Sequence, residues 1–243
     1  MKKTLIILSF FIFGCENLEE QVSPLSGIYY VFEGWDKFMG GDYDRAKELF
    51  SATLLADEGS ATNYYDHAYV GLGWTAIYKA NVSPGIVNKS VRENLRNEAI
   101  DHFESAYDLV NVRIVSKQMS ASDTIVYANV LAGKTFNKSY LALEKAMEFY
   151  TDGLDSSVWV ETLLLSSEVI SESDILLIEF IDYDFIYDPE INVNDIRILR
   201  AQSYIRLGEM ENAATEIELM TDFNCDLSQI SIIECLYSSG LNP

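Results

Sequence analysis

The sequence predicts an all-α fold made of antiparallel helix pairs that pack side by side. Apolar residues recur three or four positions apart, which places them on one helix face: Tyr43, Ala46, Leu49, Phe50 and Leu54. Gly40 and Gly41 separate this helix from a preceding amphipathic stretch, as a tight turn allows. A small residue followed four positions later by a large one recurs along the chain, at Ala46/Phe50, Ala99/Phe103 and Ala213/Ile217. One helix pair cannot bury its apolar face alone, so the recurrence predicts a stack of pairs.

The first pair begins near Gly27. Tyr30, Gly34 and Phe38 are expected to line its first helix, although Trp35 and Phe38 are slightly out of phase with the usual aromatic positions. Asp42 can cap the second helix, where Ala46 allows close approach of the helices and Phe50 fills the space between them.

The second pair contains three first-helix packing positions, at Tyr69, Leu72 and Gly73. Three second-helix positions follow at Ala99, Phe103 and Ala106. Between the two helices the sequence predicts an inserted loop over residues 81–94, with Pro84 and Gly85 at its centre.

A third pair is expected over Asp123–Phe136 and Tyr140–Tyr150, with Ile125 on the buried face of its first helix. Ser156–Ser171 predicts one further helix. Periodicity leaves residues 174–193, an irregular segment, open to an extended or a helical conformation.

The last pair starts near Asn194, and its packing positions are Ala201, Tyr204, Gly208, Ala213 and Ile217. The spacing from Ala201 to Ala213 is 12 residues, the same as from Gly34 to Ala46. Residues 226–238 suit a capping helix at the end of the stack.

The stretch Gly41-Asp42-Tyr43-Asp44-Arg45-Ala46-Lys47-Glu48-Leu49-Phe50 resembles the second helix of a tetratricopeptide repeat, which begins Gly-x-Tyr-x-x-Ala-x-x-x-Phe. The pairs at Ala99 and Ala213 match the same family, whereas the third pair matches it poorly. This resemblance implies a right-handed superhelical solenoid over residues 27–243. It also implies a groove that holds a segment of a protein partner.

The N-terminus has the features of an export signal: Lys2 and Lys3 precede an apolar run over residues 5–13. Gly14-Cys15 resembles the end of a bacterial lipobox. The resemblance implies a signal peptide over residues 1–14, acyl chains such as palmitate on Cys15, and a flexible tether over 15–26. Glu16 after the cysteine resembles the pattern of outer-membrane lipoproteins. The alternative is an ordinary signal peptide with an incidental cysteine.

The composition restricts the partners. With 38 acidic and 17 basic residues, the formal net charge is −21, which argues against nucleic acid and anionic lipid headgroups. The acidic surplus either serves solubility or favours a basic partner or a cation.

Few residues are available for catalysis or metal binding. His67 and His102 each follow an aspartate, but adjacent residues on a helix do not face each other. The acidic stretch over 182–195 offers oxygen ligands for calcium, but it lacks EF-hand spacing, so a solvated loop is the preferred interpretation. Cys225 and Cys235 form either a disulfide or two free thiols. We therefore expect no catalytic residues, no metal and no cofactor.

The resulting hypothesis is a membrane-anchored, non-catalytic scaffold lipoprotein that binds a protein or peptide, with a role in outer-membrane protein assembly. The first alternative is a glycan- or nutrient-capturing lipoprotein of an uptake system. The more remote alternative is an enzyme.

Overall fold

A computed structural model describes residues 26–56, 64–82, 88–116, 118, 120–151, 153–220 and 231–238. Within these ranges the regular elements are helices, and the only strand-like pairing is an isolated bridge between Asp184 and Asn192. The predicted all-α class is confirmed. The helices are α1 Gly27–Met39, α2 Tyr43–Ala56, α3 Tyr65–Asn81, α4 Lys89–Val115, α5 Ala121–Thr151, α6 Ser156–Glu179, α7 Val193–Leu207, α8 Met210–Glu218 and α9 Ile232–Ser238.

The helices pack in chain order, each against the next, from α1 to α8, and α9 rests on α8. The odd-numbered helices α1, α3, α5 and α7 also contact one another in sequence. Across the described ranges the even-numbered helices make no such contacts with each other. The odd-numbered helices therefore share one side of the stack, which we call the inner face.

Two phenylalanine rings hold the first three pairs in register. Phe50 of α2 is fully buried against Gly34 of α1 and Gly71 of α3. Phe103 of α4 lies in the same way between Gly73 of α3 and Gly133 of α5. A β-carbon at any of these glycines would come closer than 3.0 Å to the ring. Each ring therefore fits only because two glycines carry no side chain. One glycine is on the helix that precedes the ring's own helix, and the other is on the next helix pair.

The predicted turns are present at both ends of the chain. Gly41 has a φ of 77° between α1 and α2, and the Asp42 carboxylate accepts a 3.2 Å hydrogen bond from the Arg45 backbone N–H. Gly208 has a φ of 80° after α7. Such left-handed backbone favours glycine because other residues place Cβ against the carbonyl oxygen.

The expectation of a helix pair within residues 123–150 was wrong, since α5 runs unbroken through this region. Asn137 lies at the expected break, but its side chain is buried inside the stack. Its Nδ2 donates a 2.8 Å hydrogen bond to the backbone oxygen of Arg96 on α4. The polar residue at the expected break therefore links α5 to α4. The helix that pairs with α5 is α6.

Two other predicted boundaries also shift. The loop expected over 81–94 is shorter, because α4 begins at Lys89 with Asn88 capping it through a 2.9 Å bond from the Val91 backbone N–H. Residues 174–179, expected to be irregular, are the last turns of α6. Pro84 and Gly85 lie outside the described residues.

The segment 180–192, which we call the insert, leaves α6 and enters the inner face before α7 begins. Its side chains alternate between buried Tyr183 and Phe185 and exposed Asp184 and Ile186. The backbone N–H of Phe185 donates a 2.9 Å bond to the oxygen of Ile191, which folds the segment back on itself. The insert thus occupies the inner face along α1, α3 and α5, where the family resemblance implies a groove.

The buried side of the insert completes the core. The Phe185 ring is fully buried and stacks on Trp74 with centroids 4.3 Å apart. Tyr187 stacks on Trp35, 3.7 Å away and nearly parallel. Trp35, which looked out of phase, is therefore a core residue, whereas Tyr30 is only half-buried. Apolar area that an open groove would expose is removed from water here.

We expect Gly133→Ala to lower the free energy of unfolding by about 1–3 kcal/mol, because the new methyl group overlaps the enclosed Phe103 ring. In an unconstrained helix the same change would raise stability by up to about 1 kcal/mol. Urea denaturation monitored by circular dichroism measures the difference.

Gly40→Ala is the matched control for this substitution. Gly40 has right-handed helical backbone, and the atom nearest to an added Cβ lies 3.4 Å away. The control should therefore change the free energy of unfolding by no more than about 0.5 kcal/mol. A Gly133→Ala protein as stable as the wild type would contradict the proposed packing.

We expect Phe185→Ala to lower the free energy of unfolding by about 3–5 kcal/mol, because it leaves a cavity between Trp35 and Trp74. Denaturation followed by tryptophan fluorescence measures the loss.

Ile186→Ala, at the next residue, is the control because it removes a side chain that is 61% exposed. It should change the free energy of unfolding by no more than about 0.5 kcal/mol. Equal, small effects of the two substitutions would mean that the insert does not occupy the inner face in solution.

Candidate functional site

The outer side of the insert and the start of α5 enclose a recess of about 170 Å³, which we call the insert recess. Its lining is mostly apolar and consists of Thr124, Ile125, Ala128, Asn129, Phe180, Tyr183, Asp184 and Ile186. Ile125 is 48% exposed and Ile186 is 61% exposed, so two aliphatic side chains stand in water at its edges. Ile125 was expected on a buried helix face, and this expectation was wrong because the insert covers only the neighbouring turn.

The insert recess is held in shape by the buried residues behind it. The Tyr183 hydroxyl donates a 3.1 Å hydrogen bond to Oδ1 of Asn129 on α5, and burial raises the pKa of this tyrosine well above its ordinary value. The backbone oxygen of Asn129 accepts a 3.2 Å bond from Nε1 of Trp74. At the other end, the Tyr78 hydroxyl donates to the Asp188 carboxylate. The recess is therefore supported by two helices, α3 and α5, which also contact each other.

The charge around the insert recess is negative. Asp184 lines it, and Asp182 and Glu190 are exposed on the same segment. None of the eight lining residues is basic. The acidic stretch was interpreted as a solvated loop, but only one of its sides faces water. On that side the carboxylate of Asp184 lies two positions before the exposed Ile186.

The predicted packing residues lie inside the stack and do not form the recess. Buried positions are Gly34, Ala46, Phe50, Leu72, Gly73, Ala99, Phe103, Ala106, Ala201, Ala213 and Ile217. Half-buried positions are Tyr43, Tyr69 and Tyr204, and Gly208 is exposed in its turn. Sequence reasoning missed Gly71 and Gly133, although a glycine inside a helix costs about 1 kcal/mol and therefore indicates a packing demand.

The two histidines occupy separate surroundings. Nε2 of His67 lies 2.9 Å from the Ser122 hydroxyl, and burial lowers the pKa of His67. The Asp66 carboxylate is engaged by the backbone N–H of His67 and by Arg113, so it does not orient the imidazole ring. His102 lies 3.5 Å from Glu98 on its own helix, and burial lowers its pKa as well.

Some predicted features fall where the structure gives no description. Cys15, the signal peptide and Cys225 lie outside the described residues, and so does the side chain of Cys235 on α9. The lipidation and the disulfide therefore stay predictions. Among the residues that are described, no three His, Cys, Asp or Glu side chains are grouped to hold a metal ion, and none of the helices combines the length and hydropathy of a bilayer span.

Comparison with known proteins assigns no relative. No protein-family model matches the chain, and neither a curated protein nor a solved structure shows significant similarity to it.

Proposed function

We propose that this protein is a non-catalytic binding protein of the bacterial cell envelope, attached to a membrane by acyl chains on Cys15. Its insert recess would hold a basic, partly apolar segment of a protein partner. The observation that carries the proposal is the combination of exposed Ile125 and Ile186 with carboxylates and no basic side chain around the recess. A partner side chain of aliphatic character would fill the recess, and flanking lysines or arginines would meet Asp182, Asp184 and Glu190.

The distribution of charge supports a basic partner. Within the described ranges every lysine and arginine except Arg206 forms an ion pair with an aspartate or glutamate. The basic side chains are thus already committed to internal pairs. The remaining acidic surplus is what an approaching partner meets, and it accelerates the encounter with a basic surface.

The stacked helices support a scaffold role. A rigid core of aromatic rings and glycines fixes the insert, so a partner segment would bind a preformed surface at little ordering cost. We place this role in outer-membrane protein assembly, where a lipid-anchored scaffold would hold an exported client near the membrane. The tetratricopeptide-type spacing and Glu16 after Cys15 support this setting.

A photo-crosslinking amino acid at Ile186, introduced in the producing bacterium, tests the binding site. We expect crosslinked partner peptides that contain lysine or arginine beside aliphatic residues. The combined change Asp182→Lys and Asp184→Lys should reduce the crosslink yield several-fold, and added salt should reduce it as well. Mass spectrometry identifies the peptides and measures the yield.

The same crosslinker at Leu55, which is 75% exposed on α2, is the matched control. Equal yields at Leu55 and Ile186 would contradict a specific recess. Yields that charge reversal leaves unchanged would contradict the basic nature of the partner.

The membrane anchor is tested by Cys15→Ser. We expect the variant to move from the membrane fraction to the soluble fraction and to lose incorporated radioactive palmitate, because acyl chains supply the attachment. Immunoblotting of fractionated cells measures the distribution, and Cys235→Ser is the control that should stay with the membrane. A Cys15→Ser protein that remains in the membrane fraction and keeps its label would refute the lipoprotein assignment.

A further inference from the structure

A second recess lies away from the insert, at the end of the stack where α3 stops and α4 begins. It has a volume of about 390 Å³. This volume falls within the range of roughly 300–1,000 Å³ typical of small-molecule sites. Its lining is Ala80, Asn81, Arg92, Arg96, Tyr140, Leu143, Glu144 and Met147. We call it the Arg96 recess. Three of these residues, Arg92, Glu144 and Met147, also line an adjoining recess of about 270 Å³ between α4 and α5.

The side chain of Arg96 is 2% exposed, and its nitrogens are used unequally. Nη2 donates to Oδ1 of Asn81 at 2.5 Å and to Oε1 of Glu144 at 3.2 Å, and Nε lies 3.4 Å from the same Glu144 oxygen. Nη1 is buried and has no hydrogen-bond partner. A buried donor without an acceptor is costly, and such exceptions are rare enough to require a cause.

The position of the guanidinium is fixed from two sides. Its carbon lies 4.5 Å above the centroid of the Tyr140 ring, a favourable cation–π arrangement. The backbone oxygen of Arg96 accepts the 2.8 Å hydrogen bond from Asn137. Arg96 belongs to the lining of the recess, and its unused Nη1 is a fixed donor just beneath that lining. A bound acceptor that displaces the covering side chains would satisfy it without any rearrangement of the helix.

The side chains that line the Arg96 recess indicate the chemical class of ligand that would fit it. Ala80, Leu143, Met147 and the face of Tyr140 supply apolar walls, which suit a hydrocarbon body. Arg96 and Arg92 supply positive charge, whereas Glu144 already balances part of it. A singly charged head is therefore favoured over a doubly charged phosphate, which Glu144 would repel.

We propose that the Arg96 recess binds a small monocarboxylic acid with an apolar body. The carboxylate accepts a hydrogen bond from Nη1 of Arg96 and lies near Arg92. The hydrocarbon part lies along Leu143 and Met147. This site is independent of the insert recess and of the proposed partner, since the two share no lining residue.

Isothermal titration calorimetry of the folded protein with octanoate tests the proposal, with octan-1-ol as the uncharged probe of equal chain length. We expect octanoate to bind about ten- to a hundredfold more tightly, because only the carboxylate satisfies a buried charged donor. No binding of octanoate at millimolar concentration would overturn the proposal. Equal affinity for the alcohol would also overturn it, since Nη1 would then have no role.

Met147→Glu provides the decisive variant. Met147 is 59% exposed, so the substitution places a negative charge at the mouth of the recess without disturbing the core. Octanoate affinity should fall at least about tenfold. Met39→Glu on α1 is the matched control, because Met39 is 58% exposed and lies elsewhere, and it should bind octanoate as the wild type does. Equal affinity in the Met147→Glu and Met39→Glu proteins would place the ligand outside the recess.

Arg96→Lys gives a second, chemical test. Lysine keeps a positive charge near Glu144 but removes Nη1, so octanoate should bind about tenfold more weakly while circular dichroism shows the native helix content. Unchanged affinity in the folded variant would exclude Nη1 as the donor. The Met147→Glu comparison remains decisive should Arg96→Lys fail to fold.

Discussion

Phe50 and Phe103 are each enclosed between glycines of two different helices, and the stacking of the first three pairs depends on this contact. The ring fills the space that the two missing side chains leave, so each helix pair can approach the next in one register only. The consequence extends beyond the rings. Because α1, α3 and α5 are brought close together on the inner face, Trp35 and Trp74 are set within reach of a single crossing segment.

The insert follows from that geometry. Without the insert, Trp35 and Trp74 would leave a large apolar area in water on the inner face, and the alternation of Tyr183, Phe185 and Tyr187 provides the rings that cover it. The same alternation turns Asp184 and Ile186 outward. One segment, 180–192, thus closes the core with its inner side and forms the insert recess with its outer side, so the proposed binding site and the stability of the core would depend on the same stretch of chain.

The sequence predicted the helix pairs near Ala46, Ala99 and Ala213 because their packing is encoded locally, by small and large residues at helical spacing. The sequence-based prediction was wrong where a contact between residues far apart in the chain determines the local structure. The break expected after Phe136 is absent, and Asn137 at that point bonds to the backbone of Arg96, a residue 41 positions away that local spacing does not reveal. The insert recess could be predicted only as an acidic stretch, since nothing local indicates that Phe185 meets Trp74. Arg96 lies among polar residues, and its burial becomes visible only when α3, α4 and α5 are assembled.

The two recesses differ in the sign of their charge, and this difference would separate the ligands proposed for them. In a chain with a net charge of −21, an anion finds a favourable site only where basic side chains outnumber acidic ones locally. The Arg96 recess meets this condition, with Arg92 and Arg96 against Glu144, while the insert recess has Asp184 and no basic lining residue. The basic segment proposed for the insert recess would therefore be repelled by the Arg96 recess, and the acid proposed for the Arg96 recess would be repelled by the insert recess. The two proposed ligands would not compete for one site.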